Sequence, residues 1–175
     1  GLGAVVAARA AGAARIIVTG LERDAHKLAL ARGLGATHTI VADTEDTVAA
    51  VLAATGGAGV DVALDVVPGA PHPVLHAIEV VRIGGTIVLA GLKGHETTIA
   101  LDTDRIALRE ITLRGVFSQG WGAYHRALGM LAENRWDLGR LHTHMFPLEQ
   151  AETAIRTLAG ELPGRPAISV ALAPG

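Results

Sequence analysis

Alternation constrains this chain more than any other feature. Helix-like stretches rich in Ala and Leu give way repeatedly to short apolar runs bounded by glycine. The first exchange comes at once: an Ala-rich helical stretch over 2–11 stops at Gly12-Ala13 and passes into Arg15-Ile16-Ile17-Val18-Thr19. In front of it stands Gly1-Leu2-Gly3-Ala4-Val5-Val6, which read alone is G-x-G-x-x-V. In a dinucleotide-binding βαβ unit an apolar strand precedes the glycines, and here nothing precedes them. Gly1 is therefore read as the last glycine of a fingerprint, 2–11 as its helix, and 15–19 as the unit's second strand. The expectation is a piece of a larger protein, with the first strand and the start of the glycine fingerprint missing.

The same exchange continues. Asp24 is a candidate N-cap for a helix over 25–34, which Gly35 ends. Residues 37–41 read as a strand, 44–55 as a helix stopped by Gly56-Gly57, and 60–67 as a near-continuous apolar run broken by Asp61 and Asp65. Such a run suits a strand buried on both faces of a parallel sheet. A helix over 70–81 carries Pro71 and Pro73 near its start. Gly84-Gly85 then turns the chain into a buried strand over 86–90. Beyond Gly94 the pattern predicts a short strand over 97–101, one helical turn over 104–108 and a strand over 110–116. An amphipathic helix over 121–134 follows, then an extended stretch over 141–146, a helix over 148–159 and a last strand over 167–172. Repeated βαβ units predict an α/β fold with a doubly wound, right-handed parallel sheet of Rossmann type.

Composition narrows the function classes. The 175 residues suffice for one domain with a full core. Half of them are hydrophobic but only 3% are aromatic, so Ala, Val, Leu and Gly must carry the packing. A formal net charge of −2 with interspersed signs argues against a nucleic-acid partner. The absence of cysteine excludes disulfides and any Cys-based zinc site, and it fits a cytoplasmic location. No apolar run reaches membrane-spanning length, and no leader pattern opens the chain.

The order of segments resembles the coenzyme-binding half of the medium-chain dehydrogenase/reductase family, especially its zinc-dependent alcohol and polyol dehydrogenases. The residues that carry the likeness are Ala8-Arg9-Ala10-Ala11-Gly12-Ala13, Leu28-Ala29-Leu30-Ala31-Arg32-Gly33-Leu34-Gly35-Ala36 and Gly59-Val60-Asp61-Val62. The stretch Val81-Arg82-Ile83-Gly84-Gly85-Thr86-Ile87-Val88-Leu89-Ala90-Gly91 and the later Thr143-His144-Met145-Phe146-Pro147-Leu148-Glu149-Gln150-Ala151 complete it. By this resemblance, residues 1–117 are a partial dinucleotide-binding domain, and 118–175 are a C-terminal segment that returns to a catalytic domain outside this chain. The resemblance implies reversible hydride transfer between an alcohol or polyol and NAD or NADP. The family's zinc ligands lie in the N-terminal half, so none is carried onto a residue here. A homo-oligomer, dimer or tetramer, is expected because the family's segment around 97–113 commonly lies where sheets join edge to edge.

Candidate coenzyme-binding residues follow. Gly1 lets the first helix approach the sheet, and the amides at Leu2 and Gly3 sit at its N-terminus, where the dipole favours phosphate. About 19 residues after Gly1, where an acid would hold the ribose of NAD, stands Gly20. Arg23 then offers a planar fork to a 2′-phosphate, while Glu22 is the alternative that would take the ribose and keep NAD. The balance leans slightly to NADP. Ligands of open α/β sheets bind beyond the carboxyl ends of strands. The resemblance implies that Val66, Val67, Ala90, Gly91 and Leu92 pack on the adenine, ribose and nicotinamide. It also implies that Val116, Phe117 and Ser118 lie beside the nicotinamide carboxamide. The bland alternatives are a plain chain start, solvated loop charges at Glu22 and Arg23, and ordinary strand-end packing.

No catalytic residue and no metal ligand is assigned. Asp61 and Asp65 share a strand face but stand roughly 13 Å apart, too far for a shared-proton dyad. His142 and His144 share a face of an extended stretch without an evident third ligand. Ser118, Tyr124 and His125 lie around a helix start without a nucleophile turn. Tyr124 is followed at the Tyr-x-x-x-Lys spacing by Leu128, which excludes a short-chain dehydrogenase site. Rival readings are a zinc-free quinone oxidoreductase-type reductase of the same superfamily, and a non-catalytic module that binds nucleotide or dimerises. Zinc polarises the substrate oxygen in the family's chemistry, and no residue here is assigned to hold it. The pure 175-residue chain is therefore expected to show no alcohol dehydrogenase turnover in a coenzyme-reduction assay with added zinc; measurable turnover would contradict the assignment.

Overall fold

The computed structural model describes residues 1–164 and 166–174. Helices and strands alternate in the order α1 (Leu2–Ala10), β1 (Ile17–Gly20), α2 (Ala25–Leu34), β2 (His38–Val41), α3 (Thr47–Ala54), β3 (Val60–Asp65), α4 (His72–Val80) and β4 (Val81–Leu89). They continue as α5 (Thr103–Leu108), β5 (Thr112–Gly115), α6 (Trp121–Glu133), β6 (His144–Pro147), α7 (Ala151–Leu158) and β7 (Val170–Ala173). The strands form three sheets, β1-β2, β3-β4-β5 and β6-β7. The ladders of the last two sheets are parallel. In the three-stranded sheet the order β3-β4-β5 follows the chain, as in one half of a doubly wound sheet.

The chain divides into two compact units, one made of Gly1 with 40–120 and the other of 2–39 with 121–175. In the first, Val81 and Ile87 of β4 are fully buried and pack with Ala77, Ile78 and Ile111. Burying each such aliphatic side chain stabilises the unit by about 1.5–3 kcal/mol. Side chains close the helix ends. Asp46 accepts the Ala49 amide at 3.0 Å ahead of α3, and Asp102 accepts the Arg105 amide at 3.1 Å ahead of α5. Each such cap contributes about 1 kcal/mol. Arg109 donates to the carbonyls of Ile78 (3.0 Å) and Val81 at the far end of α4, where a cation also meets the negative end of the dipole.

The core of the second unit joins Val5 and Val6 of α1, Ile16, Leu30, Ala31 and Leu34 of α2, Ala36 and Trp136. Trp136 is its aromatic member, and charges surround it. Its indole Nε1 donates to Glu133 at 3.0 Å, and the guanidinium groups of Arg135 and Arg9 lie 4.4 and 5.8 Å from the ring centroid. Arg9 also donates to the Leu34 carbonyl at 3.3 Å, which ties α1 to the end of α2.

Several expectations shift. Asp24 does not cap α2 with its side chain, because its carboxylate is taken by Lys27 at 2.7 Å. The helix expected from 44 begins at Thr47, where Asp46 supplies the cap. The helix expected over 70–81 ends at Val80, and β4 starts at once, ahead of the Gly84-Gly85 turn. That turn is a bulge inside β4: the register jumps from Val60↔Val81 to Val62↔Thr86. β3 is not buried on both faces. It is the outer strand of its sheet, and Val62 and Leu64 are exposed. Residues 97–101 form no strand; no ladder partner lies beside them, and an isolated extended segment leaves its backbone groups unpaired. The pairing edge foreseen around 97–113 thus reduces to β5, the other outer strand of that sheet.

Two measurements check this account. Trp136→Ala is expected to lower stability by about 3–5 kcal/mol in urea denaturation. The indole hydrogen bond first, and then Arg135, hold the Glu133 carboxyl below its ordinary 4.5. A carboxylate with a depressed folded value contributes stability that is present above the unfolded value and is lost as pH falls through the folded one. The Trp136 fluorescence of a Trp121→Phe variant is therefore expected to hold steady down to about pH 4.5 and to change only below it. A Glu133→Gln variant should flatten that change.

Candidate coenzyme site

Three parallel strands end in step. Asp65 of β3 is in register with Leu89 of β4, and Leu89 with Gly115 of β5. The residues that leave these positions form one rim of the first unit: Val66 and Val67, then Ala90, Gly91 and Leu92, then Val116, Phe117 and Ser118. Backbone hydrogen bonds hold the rim together. The Asp65 carbonyl accepts the Ala90 and Gly91 amides at 2.9 and 3.0 Å, and the Leu89 carbonyl accepts the Val116 amide at 3.0 Å. The Leu92 carbonyl accepts the Gly69 amide at 3.0 Å. Gly1 lies here as well: a Cβ on it would stand 3.8 Å from Val66 Cγ2.

The rim is apolar and open. Leu92 is 67% exposed and Phe117 82%, and Val66, Val67 and Val116 are each about two-fifths exposed. Apolar side chains grouped on one edge offer flat contact to heterocycles and sugar faces. Gly91 is required by close approach, since a Cβ there would lie 2.4 Å from the Val67 carbonyl oxygen and 2.7 Å from its nitrogen. Ser118 adopts φ 57°, a left-handed turn that ends the third strand's extension.

The other candidates lie in the second unit. Leu2 opens α1, and its side chain packs on the buried cluster around Val6. Gly20 is the last residue of β1, and Arg23 lies exposed in the 3-10 turn Glu22–Asp24 just beyond it. Gly20 has a packing role. A Cβ there would stand 2.9 Å from Leu28 Cδ2 of α2, so glycine lets the helix close on the strand end. The Asp24 carboxyl is held below its ordinary 3.8 chiefly by the Lys27 hydrogen bond, with Lys27 and Arg23 charge adding to it. Glu22 also has an interaction partner.

The sequence reading missed Lys93. Asp65 is buried, with its side chain 1% exposed, and Lys93 reaches it at 2.8 Å while itself 11% exposed. A buried carboxylate needs a counter-charge. That requirement pointed to a cation near the strand ends, and the only lysine on the adjoining loop is Lys93. The polar candidates do not assemble. Asp61 pairs on the surface with Arg82 at 2.7 Å. His144 stacks on Phe146 with parallel rings, and its Nδ1 lies 2.9 Å from Thr143 Oγ1. Among the described residues, no group of three or more His, Asp or Glu is placed to hold a metal ion. Nor is any helix among them long and apolar enough to cross a membrane.

Residues 1–133 match the family described as zinc-binding dehydrogenase. The chain belongs to that family. This zinc-binding dehydrogenase chain is 38% identical over 176 residues to a probable alcohol dehydrogenase of Mycobacterium tuberculosis, covering 99% of this chain and 48% of that protein. It is 36% identical over 155 residues to a sorbitol dehydrogenase of Bacillus subtilis, covering 89% and 42% of the two chains. It superposes with a TM-score of 0.86 and 26% identity on a candidate zinc-binding dehydrogenase of Sinorhizobium meliloti solved bound to NADP, covering 99% of this chain and 49% of that one. The chain spans about half the length of the curated relatives it matches.

The family implies a nicotinamide dinucleotide, and the rim fits one: aligned strand ends, an apolar lining and a glycine at the closest backbone approach. It also implies zinc, for which the described residues supply no ligand group. Gly91→Ala forces a methyl group into the Val67 backbone, so it is expected to cost about 1–3 kcal/mol of stability in thermal denaturation. Gly3→Ala, whose Cβ would meet nothing within 4 Å, is the matched control and is expected to leave the melting temperature near its starting value.

Proposed function

We propose that this chain binds a nicotinamide dinucleotide and orients it within an enzyme that moves hydride between an alcohol or polyol and the coenzyme. The observation that carries the reading is the alignment of Asp65, Leu89 and Gly115, which sets an apolar rim at the carboxyl ends of three parallel strands. Ligands of open α/β sheets bind at such an edge. When bound, the nicotinamide accepts or gives up the hydride. The chain's own residues position it. Val66, Val67 and Leu92 pack on ring and sugar faces, and Val116, Phe117 and Ser118 flank the nicotinamide. Gly1 and the Leu2 amide face the pyrophosphate. Residues 118–175 return toward the substrate domain of the parent protein.

For the coenzyme's phosphate, the reading leans to NADP. Gly20 removes the carboxylate that would repel a 2′-phosphate, and Arg23 stands exposed three residues beyond the end of β1. A relative bound to NADP supports the lean.

Titration of the 175-residue chain with NADPH and NADH, followed by coenzyme fluorescence, tests both parts. Saturable binding below about 1 mM is expected, with NADPH the tighter ligand. Arg23→Ala should weaken NADPH about tenfold and leave NADH unchanged, as for one lost charge-assisted hydrogen bond. No saturation with either coenzyme would overturn the reading. Equal loss for both would overturn the NADP assignment alone.

A further inference from the structure

We propose that Asp65 and Lys93 form a positioning pair that holds the Val66-Val67 turn and the Gly91-Leu92 loop in the shape that receives the coenzyme. The proposal rests on the coenzyme reading above and extends it to two residues that touch no ligand in it.

Three observations converge on the Val67 backbone. Its amide donates to Asp65 Oδ1 at 3.2 Å. Its carbonyl accepts from Lys93 Nζ. The other Asp65 oxygen, Oδ2, has no hydrogen-bond partner of the ordinary geometry but meets the same Lys93 ammonium at 2.8 Å. Both backbone groups of Val67 are therefore held by the two halves of one ion pair. The Asp65 carbonyl meanwhile takes the Ala90 and Gly91 amides, and Gly91 presses on the Val67 backbone with no room for a Cβ. β3 stops at Asp65, so the ladder no longer fixes the next two residues. The pair does so in its place.

Burial makes this a costly arrangement to keep for stability alone. Taking both charges out of water exacts a desolvation penalty that Coulomb attraction does not reliably recover, and apolar replacements of similar volume are often as stable. What an apolar pair would lack is direction. It has no acceptor for the Val67 amide and no donor for its carbonyl, and the turn would be free to rotate its peptide planes. Sites need their supporting contacts held to within about half an ångström.

The test compares Lys93→Met, Asp65→Leu and the double variant Asp65→Leu/Lys93→Met with the wild-type chain. Three readouts are taken: melting temperature, hydrogen exchange of the peptides containing Val67 and Gly91, and coenzyme affinity. The single variants strand one buried charged or polar group and are expected to melt earlier. The double variant removes both charges and is expected to regain most of the melting temperature. The proposal requires it to keep fast exchange at Val67 and Gly91 and a coenzyme affinity still weakened about tenfold. Affinity and exchange that recover together with the melting temperature would overturn the proposal, since the pair would then be structural only. Wild-type chain without coenzyme affinity would instead overturn the coenzyme reading; the exchange measurement still decides whether the pair holds the turn.

Discussion

Parallel pairing puts the carboxyl ends of neighbouring strands on one edge, and the arrangement of this chain depends on that constraint. A parallel ladder requires the chain to leave the sheet after each strand and cross back through a separate segment. α4 and the segment bearing α5 are those crossings here. Each departure from the sheet therefore starts at the same edge. Register turns the tendency into a site: because Asp65, Leu89 and Gly115 are paired partners, the three departing segments leave side by side. The rim is a consequence of where strands must stop.

Backbone groups released at that edge still need partners, and the chain meets the need with very few side chains. Asp65 and Lys93 serve Val67. Glycine at 91 lets one backbone rest on another. Elsewhere the charged side chains are similarly spent on backbone and helix ends. Arg109 closes α4, Asp46 and Asp102 open α3 and α5, and Arg9 reaches the end of α2. A chain with so few aromatics relies on such ties, because small aliphatic side chains leave little area at the periphery of a core.

The alternation of elements was legible in the sequence because hydrophobic period and glycine placement are local properties. Most helices and strands fall where those signals put them; ends shift by a few residues, as at α3, where Asp46 caps the helix, and β4 begins five residues ahead of the strand expected after the Gly84-Gly85 turn. The misjudged pieces are those that depend on neighbours. An apolar run such as 60–67 has the composition of a central strand whether or not strands flank it, so the exposure of Val62 and Leu64 could not be read from it. Residues 97–101 have strand composition but no ladder beside them.

The candidate site divides the same way. Sequence by itself determined the fold class, the family likeness and the residues at the strand ends, because each follows from spacing along the chain. Tertiary structure decided which of those ends lie in register, that Gly20 makes room for Leu28, and that Asp65 is matched by Lys93. Those are contacts between segments far apart in sequence. No local pattern encodes them, because a buried charge announces only that it needs a partner, and the packing of the strands chooses which one it meets.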